Sequence, residues 1–248
     1  MENCSTYIVP EAVEEYKKYH RTICFNLNRM IWNISFLKKA VEMQQKCGAY
    51  RNEFVIAQLS KNEFELLTLR LHRTLFDEGS DTITLPKLQS KLLKNYLFPE
   101  YRQELCQRLK STSWDNSDVV AARRRAEIVV PIFRKNFIAH SLDKDVDELS
   151  FSIDDAEKII MAACDWFSIL NFGAEEFYSE DEKANLNHKK EQIACEEIIE
   201  EFFLYQYLSS NPIREINCAF KKTEKQDALQ SAINQINAKL EHKFIQFK

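Results

Sequence analysis

An all-α fold is predicted for this chain on three observations. Only 3 glycines and 5 prolines occur in 248 residues, against the roughly 7% and 5% usual in globular proteins. Tight turns and positive-φ backbone are therefore scarce, which favours long helices over a many-stranded sheet. From Glu11 to Cys47, Ile23, Leu27, Ile31, Ile34 and Val41 recur at i, i+3/i+4 spacing, the stripe of an amphipathic helix. The later periodic stretches are separated by turn- and cap-forming residues instead of by alternating strands.

Taken in order, Gly48 fits the end of that first long helix. Trp32 and Phe36 broaden its stripe, so its aromatic residues read as core and not as a base-stacking platform. A second helix is expected over Glu53–Phe76, through Val55, Leu59, Leu66, Leu69 and Phe76. The run Asp77-Glu78-Gly79-Ser80-Asp81 stops it, with Asp77 as a carboxylate opening the turn. Pro86 and Pro99 sit where proline is tolerated, in the first turns of helices over Lys87–Tyr96 and Glu100–Lys110. After a polar connector over residues 111–117, a helix from Asp118 carries Arg123, Arg124 and Arg125, and Pro131 is expected to kink it.

A polar loop follows. Ser152-Ile153-Asp154-Asp155 is a capping signature for a further helix, whose Ile159, Ala163, Trp166, Phe167, Leu170, Ala174 and Phe177 face the core. A core domain is thus expected over residues 1–180 and an extension over 181–248. In the extension, Glu180–Leu208 reads as a helix that packs on the core or on a partner. The last forty residues fit either short strands around a helix, a small α/β appendage, or an all-helical tail.

Composition bounds the function. A formal net charge of −4 argues against coating nucleic acid by bulk electrostatics, so contact with it requires a local basic patch. Seven cysteines, with no C-x-x-C pair, read as reduced thiols and not as a disulfide framework or zinc site. The start lacks the basic and apolar regions of a signal peptide, and no run approaches the ~18 apolar residues that span a bilayer. A cytoplasmic protein with no membrane partner is expected. No Gly-rich phosphate loop or H-E-x-x-H pattern occurs. Asp143, Asp145 and Asp147 alternate, but Glu148 stands where a calcium loop needs Gly. No metal or cofactor is therefore expected. His20, His72, His188 and His242 are isolated and read as surface or capping residues.

The chemistry concentrates in Ile132-Phe133-Arg134-Lys135-Asn136-Phe137-Ile138-Ala139-His140. Arginine is a permanent cation shaped for phosphate oxygens, and histidine both gives and takes a proton near neutral pH. Arg134 is the candidate phosphate clamp and His140 the candidate acid/base. Six residues at ~100° each set them about 120° apart around a straight helix. Either the helix stops near Phe137–His140 or the two groups converge across a subunit interface. Arg123 and Arg124 precede Arg134 and Lys135 by eleven residues, nearly three whole turns. Lys135, Arg123, Arg124 and Arg125 would then form a basic stripe for a strand backbone, unless Glu127 neutralises Arg123 as an i,i+4 pair.

This Arg-x(5)-His spacing resembles the Arg-x(4–6)-His motif of the HEPN superfamily. Ile31-Trp32-Asn33-Ile34, Leu75-Phe76-Asp77, Thr84-Leu85-Pro86-Lys87-Leu88 and Phe137-Ile138-Ala139-His140-Ser141, in that order, are similar to its abortive-infection, AbiU-like branch. The resemblance covers roughly Tyr16–Tyr178. It implies a long-helix bundle that dimerises, with the two motifs meeting at the interface. It further implies a metal-independent endoribonuclease acting as a toxin or phage-defence effector, with RNA as substrate and an antitoxin or defence-system protein as partner. Family members commonly carry a polar residue directly after the arginine. Lys135 stands there instead, and Asn136, the third candidate catalytic residue, comes one later. A non-catalytic module that binds RNA, nucleotide or protein is the alternative.

Overall fold

The computed structural model describes residues 6–47, 53–133, 151–173, 197–199 and 202. Among these the fold is an all-α bundle. Helix α1 spans Val13–Cys47, led in by a 3-10 turn over Pro10–Ala12. Helix α2 spans Glu53–Leu71 and continues as a π turn over His72–Phe76. Helix α3, Leu85–Lys91, likewise ends in a π turn, Leu92–Tyr96. Helix α4 spans Pro99–Leu109. A 3-10 turn over Ser113–Asp115 precedes α5, Ser117–Phe133, and α6 spans Ile153–Ile169.

Each of the helices expected within these residues is present, and the differences are local. Helix α2 does not stay α-helical to Phe76; its last turn widens, an insertion that re-aims side chains one position at a time. Helix α5 carries Pro131 within it and runs on to Phe133. Two stripe positions were misplaced. Val41 and Leu66 are exposed, and Leu37, Ala40, Ile56 and Leu67 carry the core contacts. His20 and His72 are buried, not on the surface or at caps, and the ring of His20 lies 4.6 Å from that of Phe167. His188, His242, the 180/181 domain boundary and the tail's fold lie outside the described residues.

The helices are stopped by side chains the sequence advertises. Thr84 caps α3 by accepting from the Lys87 amide, and Ser152 caps α6 by accepting from that of Asp155. Asp77 Oδ1 accepts from Gly79 N at 3.0 Å, the turn expected of it. The Lys87 ammonium closes this turn from above. It donates to Thr82 Oγ1 at 2.7 Å and Thr82 O at 3.2 Å, and also to the Gly79 carbonyl. Both segments, Leu75–Asp77 and Thr84–Leu88, therefore act together as a joint between α2 and α3.

The core is one cluster spanning all the helices. Helix α1 lies against α2 on one side and α6 on the other, and α5 packs on α6. Tyr16, fully buried, ties the start of α1 to the residues that follow α6. Its hydroxyl donates to Leu170 O at 3.4 Å and accepts from Phe172 N at 3.2 Å. On the other side of α1, Lys91 pairs with Glu15 at 2.8 Å and lies over the rings of Tyr19 and Tyr96. From the extension, Ile199 is buried in the core and the Phe202 ring meets that of Phe36 on α1. That is the packing expected of a tail helix. Cys24 and Cys164 are buried thiols, and Cys106 is an exposed one. Among the described residues no helix is long and apolar enough to cross a membrane.

Candidate functional site

The arginine triplet and the helix that delivers Arg134 are defined by the packing of α5 on α6. The two run antiparallel. At one end the indoles of Trp114 and Trp166 lie 4.8 Å apart, and Asp165 accepts from Ser113 N and Ser113 Oγ, both at 2.8 Å. At the other end Arg125 grips Asp155 with two parallel hydrogen bonds, Nε to Oδ2 at 2.9 Å and Nη2 to Oδ1 at 2.6 Å. This fork-on-carboxylate geometry is the strongest form of the pair. The Arg125 guanidinium holds the Asp155 carboxyl below its ordinary range; burial opposes this and the Ser152 contacts assist it.

With Arg125 level with Asp155, the register has a consequence at the end of α5. Helix α6 begins two residues before Asp155, at Ile153, whereas α5 continues eight residues past Arg125 to Phe133. At ~1.5 Å per residue, α5 overshoots the start of α6 by about 9 Å. Arg134 is the next residue. Arg134, Lys135, Asn136 and His140 themselves lie outside the described residues.

The three preceding arginines have different fates. Arg123 does not pair with Glu127. Its guanidinium stacks over Trp114 at 4.2 Å and donates to Trp114 O at 3.2 Å, fixing the connector to α5. Arg125 is committed to Asp155. Arg124 is exposed and without a partner among the described residues. Of the triplet, one side chain stands open to a substrate and two hold the fold together.

A polar group not anticipated as a site lies between α1 and α2. Asn33, 2% exposed, receives a hydrogen bond from Arg70 Nη1 at 2.6 Å and donates through Nδ2 to Glu63. One amide thus bridges a cation and an anion two turns apart on α2. Arg70 has no carboxylate within ion-pair distance among the described residues. Burial lowers its pKa below the usual arginine value, Glu63 works against this, and the neighbouring Arg29 adds to it. Arg29 is exposed and lies 5.3 Å over the ring of Phe25, itself 58% exposed. Phe25 therefore departs from the core role expected of aromatic residues in this helix. The signal was available in the sequence. From Tyr16 to Val41 there is no Asp or Glu, yet Lys17, Lys18, Arg21, Arg29, Lys38 and Lys39 all fall there.

The described residues thus define an all-α bundle whose α5 ends at Phe133, past the start of α6. Comparisons of the chain with protein-family models, curated proteins and solved structures find no significant match.

Proposed function

We propose that the protein is a dimeric, metal-independent endoribonuclease of the HEPN type, acting as a toxin or phage-defence effector. The observation that carries this reading is the Arg134-x(5)-His140 sequence, which begins where α5 overshoots α6. A helix anchored at Trp114 and Arg125 leads directly, in sequence, into this motif. Pairing two such ends removes the ~120° mismatch between Arg134 and His140 on a single helix.

The chemistry uses RNA's own nucleophile. His140 takes the proton from a ribose 2′-hydroxyl, whose oxygen attacks the adjacent phosphorus. The bond from phosphorus to the 5′-oxygen breaks, and a proton returns to that leaving oxygen. The products are a 2′,3′-cyclic phosphate and a 5′-hydroxyl end. Arg134 stabilises the charge that builds on the phosphoryl oxygens, Asn136 orients the strand, and Lys135 and Arg124 contact its backbone. Lys135 directly after the arginine, and the commitment of Arg123 and Arg125 to Trp114 and Asp155, favour the second reading, a helical module that binds RNA, nucleotide or protein without cutting.

The test is incubation of purified protein with total RNA in EDTA, beside Arg134→Ala and His140→Ala. Loss of His140 should slow cleavage by about 10²–10⁴-fold. Equal cleavage by all three proteins removes the enzyme reading, and a strict monomer in gel filtration removes the composite site.

A further inference from the structure

The acid-free stretch of α1 faces α2 at the point where Arg70 is held by an amide and not by a carboxylate. Arg29 lies four residues, one turn, before Asn33 on α1, and Asn33 accepts from Arg70; Arg29 disfavours the charge on Arg70, and Arg73 lies exposed three residues past Arg70. Glu63 is the carboxylate of this group, and its hydrogen bond goes to the Asn33 amide. Counting Arg29, Arg70 and Glu63, two guanidiniums against one carboxylate, the group carries +1 on a chain of net charge −4. Two like charges side by side, one of them partly buried, are relieved by an anion that takes donors from both. Phe25 sets the kind of anion. Its exposed ring, directly beneath Arg29, offers a flat apolar face within one side chain's reach of the cations.

We propose that Arg29, Arg70 and Phe25 form a binding site for single-stranded nucleic acid, in which the two guanidiniums hold a backbone phosphate and the Phe25 ring stacks a neighbouring base. Asn33 is the positioning residue, fixing the Arg70 fork by its 2.6 Å bond. Arg73 extends the track to the next phosphate. Phosphate-plus-stacking recognition of this kind tolerates any sequence, because every base has a π-face. The site is separate from the Arg134–His140 segment and rests on the ribonuclease reading only for the choice of RNA over DNA as probe.

The experiment measures binding of labelled oligouridine, about a dozen nucleotides long, by fluorescence anisotropy in the His140→Ala background. Salt is varied between about 50 and 200 mM. Arg29→Gln and Arg73→Gln lie on the surface and should not lower the thermal midpoint, which Arg29→Gln raises if it moves it at all. Each should weaken binding by about tenfold and reduce the slope of log affinity against log salt by roughly 0.7. Phe25→Ala should weaken binding at least about fivefold with the slope unchanged. Unaltered affinity and slope in the arginine variants overturns the site, as does failure of the parent protein to bind. Equal binding of an oligoglutamate of matched charge, insensitive to Phe25→Ala, overturns the assignment to nucleic acid. Cleavage that depends on His140 alongside Arg29-independent binding sinks this site and leaves the nuclease. Arg29-dependent binding without cleavage does the reverse.

Discussion

Arg125 and Asp155, thirty residues apart, are joined by two hydrogen bonds of 2.9 and 2.6 Å that set the register of α5 on α6. The Asp155 carboxyl, 7% exposed, is the buried partner. Asp155→Ala removes the only acceptor of the Arg125 fork among the described residues and loosens the packing of α5 on α6. The expected effect is a lower thermal midpoint together with reduced RNA cleavage. An unchanged midpoint would mean that the pair contributes nothing to the junction.

The same pair gives a pH dependence with a definite sign. Arg125 depresses the Asp155 pKa in the folded state, so the folded protein holds its proton less tightly than the unfolded chain. Its contribution is therefore complete above the unfolded carboxylate value of ~3.9 and is lost as pH falls through the lower folded value. The difference in urea midpoint between the parent and Asp155→Asn should be constant from about pH 6 to 8 and shrink below about pH 4. A difference that is undiminished at about pH 2, or grows on acidification, contradicts this.

Tyr16→Phe tests the tie between the first and last described helices. The substitution keeps the ring and removes the hydroxyl that serves Leu170 O and Phe172 N. Phe172 N keeps its bond to Leu170 O at 3.0 Å, so the loss is that of the hydroxyl's own hydrogen bonds, about 0.5–1.5 kcal/mol. Denaturant titration should show that loss with an unchanged slope, since the exposed surface on unfolding stays the same.

Thr74 makes the opposite prediction. Its side chain is fully buried in the π turn, and Oγ1 finds no partner among the described residues. Thr74→Val swaps the hydroxyl for a methyl of similar shape and should be neutral or stabilising by up to about 1 kcal/mol. A loss of stability would show that this hydroxyl has a partner.

Thiol reactivity separates buried from exposed cysteine. Burial pushes the Cys164 thiol up to about 12, so almost no thiolate exists at pH 8, and reagent cannot reach it. Alkylation followed by mass mapping should label exposed Cys106 rapidly. Cys164 should react only after unfolding.

What was legible in the sequence was local. Chain-neighbour rules placed the helices: apolar spacing set α1 and α6, proline opened α3 and α4, and Ser152 and Asp77 marked caps and turns. These depend on side chains within four residues of one another, which is the range over which helix geometry acts. Which cations stay open to a ligand is instead decided by residues far apart in the chain. Arg125 is taken by Asp155, thirty positions on, and Arg123 by the face of Trp114, because α5 is pressed between its own connector and α6. Arg29 and Arg70, never paired in sequence, become neighbours only when α1 packs on α2. Periodicity assigns each residue to a face, but tertiary packing alone decides whether that face meets a carboxylate, an indole or water.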